Sequence, residues 1–194
     1  RMIEGIINVL RTQQIYLTTY IQTESDSVAE DIIAFAMDKR AEGIILATRI
    51  PGEKLSALQA HFPCVQCFEH TINADCPYVS TDFRKAIAKM MNHLFSLGRS
   101  QIAFVSLIDE CGYTAAQRRD AYLQNMREQG LQVAPDWVVQ LTPPVSFDHA
   151  MAAGMRLLTG SARPDAVICT SDVFASAIIR AAQTLGIQVP EDVV

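Results

Sequence analysis

Two hydrophobic periods alternate along the chain. Ile3, Ile7 and Leu10 recur at helical spacing, and the β-branched and aromatic run Ile15-Tyr16-Leu17-Thr18-Thr19-Tyr20-Ile21 that follows predicts a strand. Val28, Ile32, Phe35 and Ala36 share one face of a second helix, opened by the capping cluster Ser25-Asp26-Ser27, and the continuous apolar run from Gly43 to Ala47 predicts the next strand. A short helix around Leu55 and Leu58 ends before Pro63. It is followed by a strand from Cys64 to Phe68, a helix from Ala86 to Leu97 closed by Gly98, and a strand from Ile102 to Val105. Next come a helix from Ala115 to Gln129 that stops at Gly130, a strand from Trp137 to Leu141 and a helix from Met151 to Leu158. A strand from Ala166 to Cys169 leads into a helix capped by Thr170-Ser171-Asp172 and ended by Gly186, and Pro190 introduces a further strand.

Apolar strands alternating with amphipathic helices predict parallel sheets covered by helices on both faces, because each right-handed crossover lays its helix against the sheet. The fold class is α/β, with about eight strands. The polar stretch from Thr71 to Pro77 interrupts the rhythm near the middle and predicts a division into two lobes.

Composition narrows the class. At 194 residues, 49% hydrophobic and 19% charged, the chain is far too apolar for a disordered segment. Surface scaling for a compact chain of this size gives about 9,000 Å² exposed, with roughly 70% of the unfolded surface buried. Charged residues interrupt every apolar stretch before the ~18 residues of a spanning helix, so no membrane function is expected. The balance of 16 Lys+Arg against 21 Asp+Glu, net −5, offers no basic stripe, and these residues alone are not expected to grip nucleic acid. Five cysteines, an odd number in a chain too long to need staples, favour a reducing cytoplasm. Arg1 lies inside a helical pattern, and Val193-Val194 stands where an apolar run has just begun. The expectation is a piece of a longer protein.

The motifs of dinucleotide sites, P-loops, hydrolase elbows and zincins are absent. Cys64-Val65-Gln66-Cys67 is a C-x-x-C within a strand, where residues three apart point to opposite faces and cannot jointly hold zinc. His61, His70, His93 and His149 lack metal spacing. Neither a metal nor a cofactor is expected. In a doubly wound sheet, ligands sit beyond the carboxyl ends of the strands. The residues there are Gln22 and Thr23, then Thr48 and Arg49, then Glu69, then Thr170, Ser171 and Asp172. Each has a bland alternative: Ser25, Thr170 and Asp172 as helix caps, Arg49 and Glu69 as solvated loop charges. Only their convergence favours a site.

Val79-Ser80-Thr81-Asp82, a helix ending His93-Leu94-Phe95-Ser96-Leu97-Gly98-Arg99, and then Gln101-Ile102-Ala103-Phe104 resemble a signature of the LacI/GalR family of bacterial transcription regulators. Arg118-Arg119-Asp120-Ala121-Tyr122 resembles the family's Arg-containing helix. Pro164 to Asp172 and Leu185 to Val193 resemble its last conserved block. The resemblance implies a type I periplasmic-binding-protein-like effector domain, with two doubly wound parallel-sheet lobes and a ligand cleft between them. The lobes would be 1–81, lacking its first strand, and 82–194, incomplete at its end, with the crossing near Asp82. It also implies a cytoplasmic regulator that is not an enzyme, a homodimer, and operator DNA read by a helix-turn-helix upstream of these residues. Residue by residue, Arg118, Asp172 and Glu69 match effector-contacting positions, while Gln22, Thr48 and Arg49 match more variable cleft positions. Ile87, Arg99, Ala121 and Ser171 depart from the usual Gly, His, Gly and Asn.

An Arg fork beside carboxylates suits a polyhydroxylated effector: a sugar, sugar acid or nucleoside. Phe147 and Phe68 would supply a stacking face, against the alternative that both are core residues. Arg118 has its own alternative, a tie to a neighbouring carboxylate. The runner-up function is a transporter's sugar-binding protein. A third is an α/β enzyme acting on a sugar or nucleotide through Asp172 and Glu69. In the homodimer, Ile3, Ile6 and Leu10 of the first helix are candidate contacts.

Overall fold

The computed structural model describes residues 2–21, 28–48, 50–68, 70–71, 74–108, 113–142 and 144–194. The chain divides into an amino unit, Arg1–Ser80, and a carboxyl unit, Thr81–Val194.

The amino unit opens with α1 (Met2–Thr12), none of whose residues is buried. The strand expected over 15–21 does not form: these residues pair with no ladder, and Tyr16 and Ile21 are 96% and 83% exposed. Their composition suits a pleated surface, but strand propensity is realised only against a neighbouring strand. The Ser25-Asp26-Ser27 cap lies outside the described residues. α2 (Val28–Asp38) and α3 (Gly52–Gln59) bracket β1 (Ile44–Leu46), and β2 (Cys64–Cys67) and β3 (Tyr78–Val79) complete a parallel sheet of order β1-β2-β3. Ile44 lies opposite Cys64 and Gln66 opposite Tyr78. At two residues, β3 is too short to leave a periodic signal in the sequence. Val28, Ile32, Leu46, Ile50, Leu55, Leu58 and Phe62 form the core of this unit.

The carboxyl unit is built on the order β5-β4-β6, all parallel. Its strands are β4 (Ile102–Leu107), β5 (Val138–Leu141) and β6 (Ala166–Cys169). Central β4 is buried from Ile102 through Ser106, which explains its continuous apolar run. Its Phe104 ring stacks on Tyr122 at 5.1 Å, and the Tyr122 hydroxyl donates to the carbonyl of Ile102 at 2.8 Å. Around the sheet lie α4 (Phe83–Ser96), α5 (Tyr113–Glu128), α6 (Phe147–Thr159) and α7 (Asp172–Thr184). α4 and α6 begin three and four residues earlier than their apolar periodicity predicts. Asp82 caps α4 by accepting the Lys85 N–H at 3.0 Å, and Ser146 caps α6 by accepting that of His149 at 3.2 Å. Gly98 and Gly186 take φ of +75° and +72°, the left-handed turn that releases the chain from α4 and α7.

α6 and α7 meet at Gly154. A Cβ there would stand 2.7 Å from Cδ1 of Ile178 and 3.1 Å from Cβ of Ala181, so a side chain at this position would require the Ile178 terminal methyl to turn away and α7 to give by a few tenths of an ångström. The chain after Pro190 forms no strand; one residue attaches it to β6, through Val167 N–H to the Val194 carbonyl and Val194 N–H to that of Asp165. Arg99, at the family's usual His position, donates to the carbonyls of Pro190 and Glu191, both at 3.1 Å.

Among the described residues, no helix is long and apolar enough to cross a membrane.

Candidate functional site

In the carboxyl unit, three of the residues singled out from the sequence share one edge of the sheet. Each sits in the first or second turn of a helix that leaves the carboxyl end of a strand: Arg118 in α5 after β4, Phe147 in α6 after β5, and Asp172 in α7 after β6. The helices bearing Phe147 and Asp172, α6 and α7, pack on each other, whereas α5, which bears Arg118 and follows the middle strand, packs on α4. The amino ends of α6 and α7 bring their unpaired N–H groups and positive dipole ends to the same edge, which favours acceptor-rich ligand groups.

The local reasons differ for each residue. Ser171, not Asp172, is the N-cap of α7, its hydroxyl accepting from Val173 N–H at 3.3 Å. Asp172 is thereby relieved of the capping role read for it: among the described residues its exposed carboxylate accepts no hydrogen bond and joins no ion pair. Phe147 is 41% exposed, which overturns the alternative that it is a core residue. Arg118 is half-buried, and its guanidinium carbon lies 3.9 Å from the centre of the Phe83 ring. Phe83 opens α4 and was not singled out by the sequence reading. Cys169 ends β6 at this edge, and burial pushes its thiol up to about 12, so it stays protonated at neutral pH and offers no thiolate.

In the amino unit the corresponding edge follows β1 and β2. Thr48 lies exposed in the bend after β1. Gln22, Arg49 and Glu69 lie outside the described residues. Phe68, expected in the core, is instead 47% exposed, with a left-handed φ of +69°. It is held there by its N–H to the Val79 carbonyl at 2.8 Å and by the Ser80 hydroxyl, which donates to its carbonyl at 2.7 Å. A bulky residue in that conformation is strained and persists where its surroundings over-determine it.

The buried Gln66, 1% exposed on β2, was also overlooked. Its side chain bonds Thr71 twice: Oε1 accepts the Thr71 N–H at 3.1 Å and Nε2 donates to Oγ1 at 3.2 Å. Thr71 in turn donates to the carbonyl of Ile50 at 2.6 Å. This relay ties the loop after β2 to the loop after β1. Its signal was present in the sequence as a polar residue in the middle of an apolar strand. The C-x-x-C reading drew attention to Cys64 and Cys67 instead, which do fall on opposite faces, Cys64 buried and Cys67 half-buried. Burial raises the thiols of Cys64 and Cys76. Among the described residues, no group of three or more His, Cys, Asp or Glu side chains converges in a metal-sized arrangement.

In parallel α/β units, small molecules bind beyond the carboxyl ends of the strands, where these polar groups lie. Comparison with known proteins gives the chain a family. The family described as "Periplasmic binding proteins and sugar binding domain of LacI family" matches residues 1–194, and the chain belongs to it. Among its relatives are the transcriptional regulator MalR of Streptomyces coelicolor, 28% identical over 89% of this chain and 52% of its own, and the transcriptional repressor PurR of Salmonella paratyphi B, 30% identical over 83% and 48%. The chain thus spans about half the length of the relatives it matches. A LacI-family regulatory protein from Chloroflexus aggregans shares the fold with a TM-score of 0.86 at 18% identity, covering 98% of this chain and 68% of its own. A Lactobacillus casei LacI-family regulator with bound glucose does so at 0.79 and 21%, covering 99% and 72%. The fold is periplasmic-binding-protein-like, as the sequence motifs implied.

Proposed function

We propose that this chain is the effector-sensing domain of a LacI-type transcription regulator, binding a small polyhydroxylated molecule, a sugar, sugar acid or nucleoside, and coupling it to operator binding. The observation that carries the reading is the gathering of Arg118, Phe147 and Asp172 at one sheet edge in a chain of a sugar-binding family. Arg118 supplies a fork of donors, Asp172 a carboxylate free to accept hydroxyl hydrogens, and Phe147 an exposed ring for a sugar or base face. Thr48, Gln22, Arg49 and Glu69, singled out from the sequence, are further candidate contacts. The same fold holds glucose in the Lactobacillus casei regulator.

Operator DNA would be read by a helix-turn-helix outside these residues, since the chain carries a net charge of −5. The relatives are regulators, which favours this reading over a transporter's sugar-binding protein, over an enzyme, and for a cytoplasmic location. The whole protein would act as a homodimer, with Ile3, Ile6 and Leu10 on the unburied α1 as candidate contacts. Thermal-shift screening of sugars, sugar acids and nucleosides tests the proposal. An effector at 100-fold over its Kd adds about 2.7 kcal/mol to the native state, and a flat response across all three classes would overturn it.

A further inference from the structure

The carboxyl unit has a second concavity, at the edge of its sheet opposite Arg118, Phe147 and Asp172. It is bounded by the stretches that lead into the three strands: Gln101 before β4, residues 132–137 before β5 and residues 161–163 before β6. Because the strands are parallel, all three stretches meet at the strands' amino ends. The six residues of β4 put ~20 Å between the two edges, so a small molecule lodged at one does not reach the other.

Fixed contacts join the three stretches. The indole N–H of Trp137 donates to the carbonyl of Ala162 at 2.7 Å, tying the stretch before β5 to the one before β6. Asp165 ties the latter to the start of β4: its Oδ2 and Oδ1 accept the N–H groups of Ser100 and Gln101, both at 3.0 Å, and its own N–H donates to the Gln101 carbonyl at 2.8 Å. The cleft left between them measures about 630 Å³, within the ~300–1,000 Å³ of small-molecule sites. Walls already held by bonds within the protein lose little further freedom when a ligand docks. The lining has two characters. Val133, Pro135 and the buried Trp137 give it an apolar side. Its polar side chains include Gln132, Ser161 and Arg163, and among the described residues none of these three makes a side-chain hydrogen bond or ion pair. Arg163 carries the one charge in the lining, a guanidinium that stays protonated and holds its donors in a fixed fork.

We propose that this cleft is a second small-molecule site and takes a small organic anion: a carboxylate received by the Arg163 fork, joined to an apolar body of about the size of one ring that lies along Val133, Pro135 and Trp137. The charge sets the class. With a cation and no carboxylate in its lining, the cleft answers an acceptor-bearing anion, whereas the edge with Asp172 offers an acceptor for hydroxyl hydrogens. The inference stands apart from the effector-sensing reading, because the two edges share no residue.

Trp137 is the single tryptophan of the chain, so intrinsic fluorescence reads this cleft without any added label. The test titrates phenylacetate into the 194-residue chain, beside phenylacetamide as its uncharged counterpart and acetate as the anion without a ring. Phenylacetate is expected to change the Trp137 emission saturably, with a millimolar midpoint, and the other two to bind about tenfold more weakly. Arg163→Gln should weaken phenylacetate about tenfold and leave phenylacetamide unchanged. Its melting temperature should match wild type, since the exposed Arg163 side chain holds no other group in place. The absence of a saturable response to phenylacetate overturns the proposal. Equal affinity for phenylacetate and phenylacetamide, or a phenylacetate affinity unmoved by Arg163→Gln, overturns it as well, because either result removes the anion from the recognition.

Discussion

In the carboxyl unit, β4 lies between two neighbours, and Ile102, Ala103, Phe104, Val105 and Ser106 are buried with helices on both faces. In the amino unit the strands are shorter: Ile45 of edge strand β1 is 39% exposed, Tyr78 and Val79 of edge strand β3 are 56% and 68% exposed, and α1 buries nothing. Both units use the same α/β construction, so the difference lies in how many partners each element finds. Burial from both sides fixes a strand's length, its register and the direction of the helix that follows it. A strand with one partner, or none, retains the composition without the pairing, as residues 15–21 do.

This contrast predicts where the molecule breaks. The largest effect is expected for Phe104→Ala, which empties the centre of the carboxyl core beneath Tyr122 and should cost about 3–5 kcal/mol in urea unfolding. A loss under about 1 kcal/mol would mean that β4 does not organise its unit. Gly154→Val forces a branched side chain into the α6–α7 contact, where even a Cβ meets Ile178 at 2.7 Å, and should cost about 2–3 kcal/mol. An unchanged midpoint would show that the two helices have room to separate.

At the site, Arg118→Ala and Asp172→Asn should each remove a charge-assisted hydrogen bond worth about 1.5–3 kcal/mol, or roughly ten- to a hundredfold in affinity for a confirmed effector. Calorimetric titration checks this. Because Ser171 supplies the cap of α7, Asp172→Asn should leave the melting temperature unchanged, and a fall in stability with intact affinity would return Asp172 to a structural role.

Alkaline pH probes the buried thiol of the carboxyl unit. Burial raises Cys169 from 9.0 to about 12, so the unfolded chain releases this proton first as pH rises. Its contribution to stability is fully present below pH 9.0 and is lost on the way to about 12. Cys169→Ser should flatten that part of the pH–stability curve, and a curve identical to wild type would refute the assignment. The smallest effect belongs to α1. A Cβ added at Gly5 would meet no atom within 4 Å, so Gly5→Ala should gain up to about 1 kcal/mol of local helix stability without moving the global unfolding midpoint. A shift of the midpoint would show that α1 packs on the rest of the unit.

The alternation of periods was enough to identify a parallel α/β class, because a strand buried on both faces must be apolar throughout and its helices must present one apolar face. Family motifs then located Arg118 and Asp172 on helices that follow strands. What the pattern could not show were the elements that depend on a single residue or a distant partner. α4 begins three residues early because one Asp82 carboxylate reaches one N–H, and β3 exists because β2 offers it an edge. The core alternatives for Phe68 and Phe147 failed because hydrophobicity states what a residue tolerates, not where its neighbours are.

Local order along the chain was therefore determined by the sequence itself: periodicity, caps and glycine stops act within a few residues, where the energy depends on neighbours already fixed by covalent connection. The juxtapositions were decided only in the tertiary structure. Phe83 meets Arg118 across 35 positions of sequence, and Gln66 reaches Ile50 through Thr71. Tyr16 stays exposed for want of a strand beside it. Each of these outcomes depends on which surfaces remain to be covered once the sheets have formed, and that is a property of the assembled fold rather than of any segment within it.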